Sequence, residues 1–442
     1  MLTRLRSYVE TVRSSLFFIP MVCVVLAVVL GEAMLVVDAS VDGIPDRLTA
    51  TVDSARTVLT TVAGATLSFA GIAFSVSLLL ISLTSSQYSP RVVHGMFRDP
   101  FNKRVMGLVI GTFTYCLVVL RAVRSSLEAE GDGIVPSVSI LLAVALGVAS
   151  ILAIVAFINH AAHSMDISKI LHRVTREALE QARGGWPEPD PETQHDLEGS
   201  DRPLPASAAT VRFSRYGWVE NIDFDQLLAA LPPRSRTTLA TFAGRYATRN
   251  TPICEIWPAP ESEDVGDRVR AAVRVGKSRT MQQDVAYGVR QLADVAIKAM
   301  SPGINDPTTA HDAISHAGTV LSDLLCRIPP AQRLRGEDGQ VLLVPHATTH
   351  RELVGLAFDE VRIASAEDPT VLIYLLEVVY QVIRSLDHLD RPDAVAALRA
   401  QAELIRVMNE EAGVPEPDRQ RVRDVYDARH GRSSGGPTTS GS

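Results

Sequence analysis

Long apolar runs alternate with charged connectors through the first 160 residues of the chain. Four runs, at about 16–37, 64–83, 105–120 and 138–158, consist almost wholly of apolar and small residues. A helix needs about 20 such residues to cross the roughly 30 Å hydrocarbon core of a bilayer. The pattern therefore predicts a domain of four transmembrane helices over residues 1–165, with the lipid bilayer as its surroundings and a soluble tail after it.

The charges between these runs predict the orientation of the chain. Segments 1–15, 84–104 and 159–176 hold ten lysines and arginines, whereas the connectors 38–63 and 121–137 hold four. Cytoplasmic connectors carry the excess of positive charge in membrane proteins. We therefore expect a multi-pass protein of the cytoplasmic membrane, with both termini and the whole tail in the cytoplasm.

Small residues recur on one face of the second apolar run. They follow one another in steps of four and three, interrupted at Leu78, and are Gly64, Ser68, Gly71, Ser75 and Ser82. Small residues let helices approach closely in lipid, so this face is a candidate for helix packing. A second interpretation is a hydroxyl-lined path at the axis of a homo-oligomer, where serine oxygens replace the hydration shell of an ion.

The pattern of the tail predicts an α+β region in several parts. A helix and an acidic, proline-rich linker are expected over 166–208, followed by a small β half-barrel or sandwich over 209–278. Its predicted strands are 210–213, 217–222, 237–242, 252–257 and 269–275, the last assigned from alternating valines and alanine. A helical domain is expected over 279–415, with helices near 308–327, 351–366, 369–388 and 392–411, and a charged, flexible tail over 416–442.

The most sharply specified local feature is a corner between two helices of the tail. A helix that starts near Met281 should end at Pro302, because proline disfavours helix at the residue before it. Gly303 is expected to take the left-handed turn, and Asp306 with Pro307 should cap and start the next helix. The polar residues gathered around this corner are Asp284, Tyr287, Arg290, Asp294, Ser301, Asn305, Asp306 and Thr309.

Two interpretations of this corner remain open. The functional one is a pocket for a small anionic ligand on the cytoplasmic side, with Arg290 and the helix amides after Asp306 as donors. The structural one is a capped, salt-bridged corner that fixes two helices. Neither a nucleophile with a paired base nor a metal-ligand spacing is spelled out, even though His311 and His316 lie nearby, so we expect no enzyme, no metal and no cofactor.

Charge and the apolar runs narrow the function classes further. The formal net charge is −7, which argues against a nucleic-acid partner. Glu32 is the ionisable residue clearly inside a predicted span, near its outer end, and is a candidate functional carboxylate. A buried relay of charges, as proton-coupled pumps use, is not evident in the sequence.

Several motifs carry a family resemblance. The segments 283–294 (QDVAYGVRQLAD) and 301–310 (SPGINDPTTA), the connector 85–91 (SSQYSPR) and the strand 217–223 (GWVENID) resemble the bacterial family of predicted membrane proteins called domain of unknown function 2254. The resemblance runs over nearly the whole chain and implies a bacterial plasma-membrane protein, but no activity. Asn250 stands where the family pattern has a glycine, and His311 is not part of the pattern.

Two functions remain as hypotheses from different classes. The first is a homo-oligomeric pore for ions or small solutes, gated by the cytoplasmic domain; the small-residue face of the second span favours it. The second is a membrane-anchored sensor or scaffold whose cytoplasmic domain binds a small anionic ligand or a protein partner; the corner between the helices favours it.

Overall fold

The structure is a computed structural model that describes residues 18–40, 51–87, 100–123, 136–164, 166–186, 203–262, 264–330, 332–344 and 348–431. The chain divides into two compact units, Met1–Asp166 and Ile167–Ser442. Residues 187–202 of the predicted linker and the last residues of the predicted tail, 432–442, lie outside the described residues.

The described residues of the first unit form four long helices. They are α1 Phe18–Ser40, α2 Val52–Gln87, α3 Pro100–Ala122 and α4 Ser137–Ser164. Stretches of 23, 28, 22 and 25 residues within them are long and apolar enough to cross a membrane, which confirms the four predicted spans. Helix α2 starts well before the predicted residue 64, and its threonine hydroxyls, such as that of Thr61, donate to the carbonyl one turn back.

Close helix approach in this unit depends on glycine. A Cβ built on Gly107 of α3 would lie 2.7 Å from Cys23 Sγ of α1, and one on Gly31 of α1 would lie 2.7 Å from Val118 of α3. On α4, a Cβ at Gly147 would meet a valine of α2 at 3.0 Å. Small residues therefore bring these backbones together, as expected for helices that associate in lipid.

Two acidic residues of α1 join it to other helices. Asp38 accepts hydrogen bonds from the amides of Val138 and Ser139 at 2.8 and 3.0 Å and from the Ser139 hydroxyl, so it caps α4 from a distant part of the chain. Glu32, a candidate functional carboxylate, pairs with Arg121 of α3 at 2.5 Å, with both side chains more than half exposed in this unit. Its contact is that of an ion pair between two helices.

The second unit begins with α5 Ile167–Gly185 and continues with two sheets. The strands are β1 Ala209–Arg212, β2 Gly217–Ile222, β3 Arg236–Leu239, β4 Tyr246–Ala247, β5 Pro252–Trp257, β6 Val273–Gly276, β7 Arg333–Arg335 and β8 Val341–Leu343. One sheet has the order β1-β5-β3-β8-β7 and the other β4-β2-β6. Two short helices, α6 Phe224–Ala230 and α7 Asp264–Ala272, complete this region.

Two predictions for this region were wrong. The strand predicted over 269–275 is instead the end of α7 followed by β6. Val265, Val269 and Ala272 are buried on one face of α7, a helical spacing that the alternation of the following residues concealed. The hairpin β7–β8 was not predicted, and β8 pairs in parallel with β3, so the boundary predicted at 278/279 does not separate the sheets from the helical part.

Six further helices of the second unit lie within the part of the chain that the structure describes. They are α8 Val285–Ala299, α9 Pro307–Cys326, α10 His350–Ala364, α11 Pro369–Ser385, α12 Pro392–Glu411 and α13 Glu416–Arg429. Helices α8 to α11 pack through buried aliphatic faces, and α5 packs on both α8 and α9. The predicted helices after the corner lie within about three residues of α9 to α12.

Helix α13 corrects the flexible tail predicted over 416–442. Its Val422 is fully buried, Arg429 pairs with Glu377 of α11 at 3.0 Å, and His430 lies 3.0 Å from the Leu376 carbonyl. The charged composition concealed a helix because its charges pair along and between helices, as Arg419 does with Glu416 at 2.6 Å.

Candidate functional site

The residues predicted around the corner do not converge on one pocket. Asp284 caps the start of α8, whereas Ser301, Asn305 and Asp306 follow its end. A helix of 15 residues is about 22 Å long. The eight candidates therefore form three separate groups, at the start, middle and end of α8.

The first group surrounds Asp284, which is 6% exposed. Its carboxylate accepts two hydrogen bonds from Arg279, at 2.6 and 3.2 Å, and one from the Tyr287 amide at 3.2 Å. Burial raises the pKa of Asp284, and the Arg279 guanidinium opposes that rise. The guanidinium lies over the rings of Tyr287 and Trp218, at 5.1 and 5.9 Å.

The backbone around Gly244 closes this group from the side of the sheets. Gly244 has φ +90°, and a Cβ there would lie 2.0 Å from Asp284 Oδ2. A glycine at this position is thus required both by its backbone conformation and by the close approach. Arg279 joins Asp284 to Trp218 of β2, so this group attaches α8 to the smaller sheet.

The second group is an ion-pair bridge at the middle of α8. Arg290 Nε lies 2.7 Å from Asp294 Oδ1, and its Nη2 donates to Glu360 Oε2 at 2.8 Å, with a further hydrogen bond from Nη1 to Oε1. The hydrogen bonds to Glu360 are the largest cause of a raised pKa of Arg290. Arg290, predicted as a donor to a ligand, is paired with two carboxylates of the chain and joins α8 to α10.

The third group is the turn between α8 and α9. The Ser301 hydroxyl donates to the Lys298 carbonyl at 2.6 Å, and the Asp306 amide donates to the Ala299 carbonyl at 2.9 Å. Asp306 accepts from the amide and hydroxyl of Thr309, at 3.1 and 2.6 Å, and these bonds lower the pKa of its carboxyl. The predicted cap at Asp306 is confirmed.

The left-handed residue of this turn is Asn305, with φ +48°, and not Gly303 as predicted. Asparagine tolerates this conformation because its short polar side chain hydrogen-bonds locally. The amide at the start of α9, predicted to bind an anion, donates instead to Asp306 of its own cap. These contacts are those of a capped corner that holds two helices.

The residues that complete these groups were not among the candidates. Arg279 lies five residues before Asp284, and its basic charge next to an acidic cap was a local signal. Glu360 lies 70 residues after Arg290 and Trp218 lies on a different sheet, so spacing along the sequence could not reveal them.

The histidines near the corner pack inside the unit. His311 stacks on Tyr374 with ring centroids 4.2 Å apart, and its buried Nε2 has no hydrogen-bond partner among the described residues. His316 Nδ1 lies 2.8 Å from the Thr175 hydroxyl of α5. Burial, followed by the nearby His172, lowers the pKa of His316. The described part of the chain contains no cluster of three metal-ligating side chains.

The predicted row on α2 lies on the outside of the first unit. Its five residues are all exposed there, and no atom of the described residues lies within 4 Å of a Cβ built on Gly64 or Gly71. The buried face of α2 consists of other residues, among them Leu59, Ala63 and Ala73. The row therefore takes no part in packing the four helices that the structure describes.

The exposed row is longer than predicted. Thr57 and Thr61 extend it toward the start of α2, and both are exposed. The steps from Thr57 to Ser82 alternate strictly between four and three residues. This is the spacing of a seam that faces another helix with a left-handed crossing.

The motifs and the four helices find a counterpart in known sequences. The family model described as "Predicted membrane protein (DUF2254)" matches residues 13–381. The chain belongs to this family. The match covers all four helices of the first unit and both sheets, and it ends within α11, so α12 and α13 lie beyond the region of DUF2254.

Relatives of this DUF2254 protein occur in mycobacteria. The chain is 29% identical over 396 residues to the uncharacterised proteins Mb1321c of Mycobacterium bovis and Rv1290c of Mycobacterium tuberculosis. Each alignment covers 87% of this chain and 75% of the relative. No solved structure matches the chain.

Proposed function

We propose that this protein self-associates in the bacterial plasma membrane through the exposed row of α2 and forms a pore for ions or small solutes along that row. The main observation behind this proposal is that some glycines of the membrane helices contact a neighbouring helix and others do not. Gly31, Gly107 and Gly147 each lie at a close contact between helices, whereas Gly64 and Gly71 face away from the unit. A second copy of α2 supplies the close partner that these two lack.

The spacing of the row suits a symmetric seam. Residues at alternating steps of four and three lie on one helix face that follows a left-handed supercoil. Glycine and serine at the seam let several copies of α2 approach one axis. With Leu78 as the exception, the row offers hydroxyl oxygens and exposed backbone along its length.

The hydroxyls of the row are suited to lining a path. Ser68 Oγ donates to the Gly64 carbonyl at 2.9 Å, and Thr61 donates to the Thr57 carbonyl at 2.7 Å. The hydroxyl protons of Ser68 and Thr61 are thus satisfied within α2, and their oxygen lone pairs remain as acceptors for a cation or for water.

The second unit is the proposed gate, on the cytoplasmic side. The excess of lysine and arginine in segments 1–15, 84–104 and 159–176 supports this orientation. The sensor alternative loses its main support, since Arg290 and the start of α9 are satisfied by Glu360, Asp294 and Asp306. We therefore propose the pore alone.

The test is ion flux from liposomes that carry the purified full-length protein, under voltage, membrane tension and pH steps. We expect flux from the wild type and its loss in Ser68→Leu/Ser75→Leu. The matched control is Ala145→Leu/Ala156→Leu, which adds the same side chains at exposed positions of α4. Chemical cross-linking of the same samples reports the oligomer.

Two results would refute the proposal. One is a wild-type protein that shows no flux under any stimulus. The other is equal flux from Ser68→Leu/Ser75→Leu and from the control, which would remove α2 from the path. Flux that is lost only in the variant of the row, together with its cross-linked oligomer, supports a pore along α2.

A further inference from the structure

Three arginines that have no acidic partner among the residues described lie together at one edge of the sheets. They are Arg212 at the end of β1, Arg215 in the following turn and Arg249 after β4. The two segments are joined by hydrogen bonds between Phe213 and Thr251, at 2.9 Å, and between Asn250 and Phe213, at 3.0 Å. We call the three arginines, with Tyr216 and Tyr246, the arginine edge.

The guanidinium groups of this edge are positioned by backbone carbonyls. Arg212 Nη1 donates to the Asn250 carbonyl at 2.8 Å, and Arg249 Nε donates to the Ser214 carbonyl at 3.2 Å. Asn250 has φ +68°, which shapes the turn that presents its carbonyl to Arg212. A carbonyl holds a guanidinium in place without neutralising its charge.

Two neighbouring arginines, unlike those of the arginine edge, are paired with carboxylates. Arg270 donates to the Arg212 carbonyl at 3.0 Å, but it is paired with Asp267 at 2.5 Å. Arg274 is paired with Glu220 at 3.1 Å. Among the described residues no ion pair joins Arg212, Arg215 or Arg249 to a carboxylate, so their three charges remain available.

Two exposed tyrosines accompany these charges. Tyr216, which follows Arg215 directly, is 72% exposed, and Tyr246, three residues before Arg249, is 48% exposed. The backbones of the two segments run side by side here, since Gly217 pairs with Ala247 and Trp218 with Tyr246. Tyrosine is enriched at membrane–water interfaces, where its ring lies among headgroups and its hydroxyl stays in water.

We infer that the arginine edge docks on the anionic phospholipid headgroups of the membrane that the protein crosses. Guanidinium groups bind phosphate through paired N–H donors, and exposed tyrosines suit the headgroup layer. Helix α5 follows α4 after only two intervening residues, so the second unit is held at a high effective concentration of lipid surface. This tether favours the adjacent leaflet over a free polyanion such as nucleic acid.

This inference stands independently of the pore, because no residue of the exposed row of α2 enters it. Each basic residue near an anionic leaflet raises the equilibrium constant for docking about fivefold, which corresponds to about 1 kcal/mol. Loss of three such charges should therefore weaken docking on the order of 100-fold.

The test places a nitroxide on Ser214→Cys in the full-length protein. Ser214 is exposed between the arginines, and its side chain makes none of the contacts described above. The four native cysteines are buried or half-buried, and the protein without the substitution is the control for any label that they take up. The control label is Glu337→Cys, in the exposed turn between β7 and β8. Nanodiscs contain either phosphatidylglycerol or phosphatidylcholine. Relaxation by a soluble nickel complex and by a nickel-chelating lipid is measured.

In phosphatidylglycerol nanodiscs we expect the label at 214 to be shielded from the soluble complex and relaxed by the nickel lipid. The label at 337 should behave alike in both lipids. In the wild-type protein, sodium chloride at 1 M should release the arginine edge from the phosphatidylglycerol surface, since salt screens the attraction between exposed charges. This salt arm requires no substitution, so it remains informative whatever a variant does to folding.

The decisive variant is Arg212→Gln/Arg215→Gln/Arg249→Gln, which should lose docking. Its matched control, Arg176→Gln/Arg384→Gln/Arg421→Gln, removes three exposed charges elsewhere in the unit and should retain it. Equal relaxation of the label at 214 in both lipids would overturn the inference. Shielding by added polyuridylate but not by phosphatidylglycerol would overturn it in favour of a nucleic acid.

Discussion

Replacing Arg290 by methionine tests whether the middle of α8 is a structural bridge. The Arg290 side chain is 20% exposed, and its guanidinium lies between Asp294, whose side chain is 8% exposed, and Glu360, whose side chain is 56% exposed. Methionine keeps much of the apolar stem and removes the charge. The two carboxylates then lose the same partner in very different surroundings.

The different burial of Asp294 and Glu360 determines how much each substitution should cost in free energy of unfolding. Breaking a buried ion pair by removing one partner costs about 3–5 kcal/mol, because a buried charge loses its compensation. Asp294 has a further interaction within the chain, so we expect Arg290→Met to cost about 2–3 kcal/mol. An exposed pair contributes about 0–1 kcal/mol, so Glu360→Gln should cost less than about 1 kcal/mol.

Adding Asp294→Asn to Arg290→Met should recover a large part of the loss, since the uncompensated charge is then gone. The coupling between the two substitutions is the quantity that isolates their interaction. Urea unfolding followed by tryptophan fluorescence reports the second unit alone, because the three tryptophans of the chain are Trp186, Trp218 and Trp257. A cost of Arg290→Met no larger than that of Glu360→Gln would refute the bridge.

Three further perturbations have clear expected outcomes. Gly318→Val on α9 should cost about 1–3 kcal/mol in the same urea assay, because a Cβ there would lie 2.5 Å from a valine of α11. Gly31→Leu should lower the melting temperature of the detergent-solubilised first unit in the intact protein, because a Cβ on Gly31 would lie 2.7 Å from Val118; Ala145→Leu, at an exposed position of α4, should not, and equal effects would contradict the helix packing described. Burial lowers the pKa of three histidines in the folded protein, His316, His350 and His430. Because the same histidines bind protons near pH 6.5 once the chain is unfolded, the urea midpoint should fall as the pH is lowered from 7 to 5.5, and a midpoint independent of pH would contradict this.

Local signals in the sequence predicted the helices well. A run of apolar residues about 20 long has few alternatives to a membrane-crossing helix, because its backbone groups must bond internally. The cap at Asp306, three residues before Thr309, is equally local. The start of α2 was placed too late, since apolar content marks the lipid-facing part of a helix and not its polar extension at Val52.

Features that depend on distant residues could not be predicted. Strand β8 is three residues long and becomes a strand by pairing with β3, about 100 residues earlier. The partner of Arg290, Glu360, lies on another helix, and only the packing of α8 against α10 brings it near. Whether the corner was a binding site or a brace depended on these partners, so the sequence alone left both open.

The segments 283–294 and 301–310, which resemble the family, form the corner between α8 and α9 and contact α5. A Cβ on Gly288 of the motif would lie 2.8 Å from the Ala178 Cβ of α5, so α8 and α5 are in close contact there. On the other side of the corner, His316 of α9 lies 2.8 Å from the Thr175 hydroxyl of α5. Both helices of the corner thus hold the one helix that leads directly back, after two residues, to α4. Arg290 joins α8 to α10 through Glu360, and Asp306 caps α9, so both helices of the corner are braced where they contact α5. We propose this contact as the route by which the gating proposed above reaches the membrane helices.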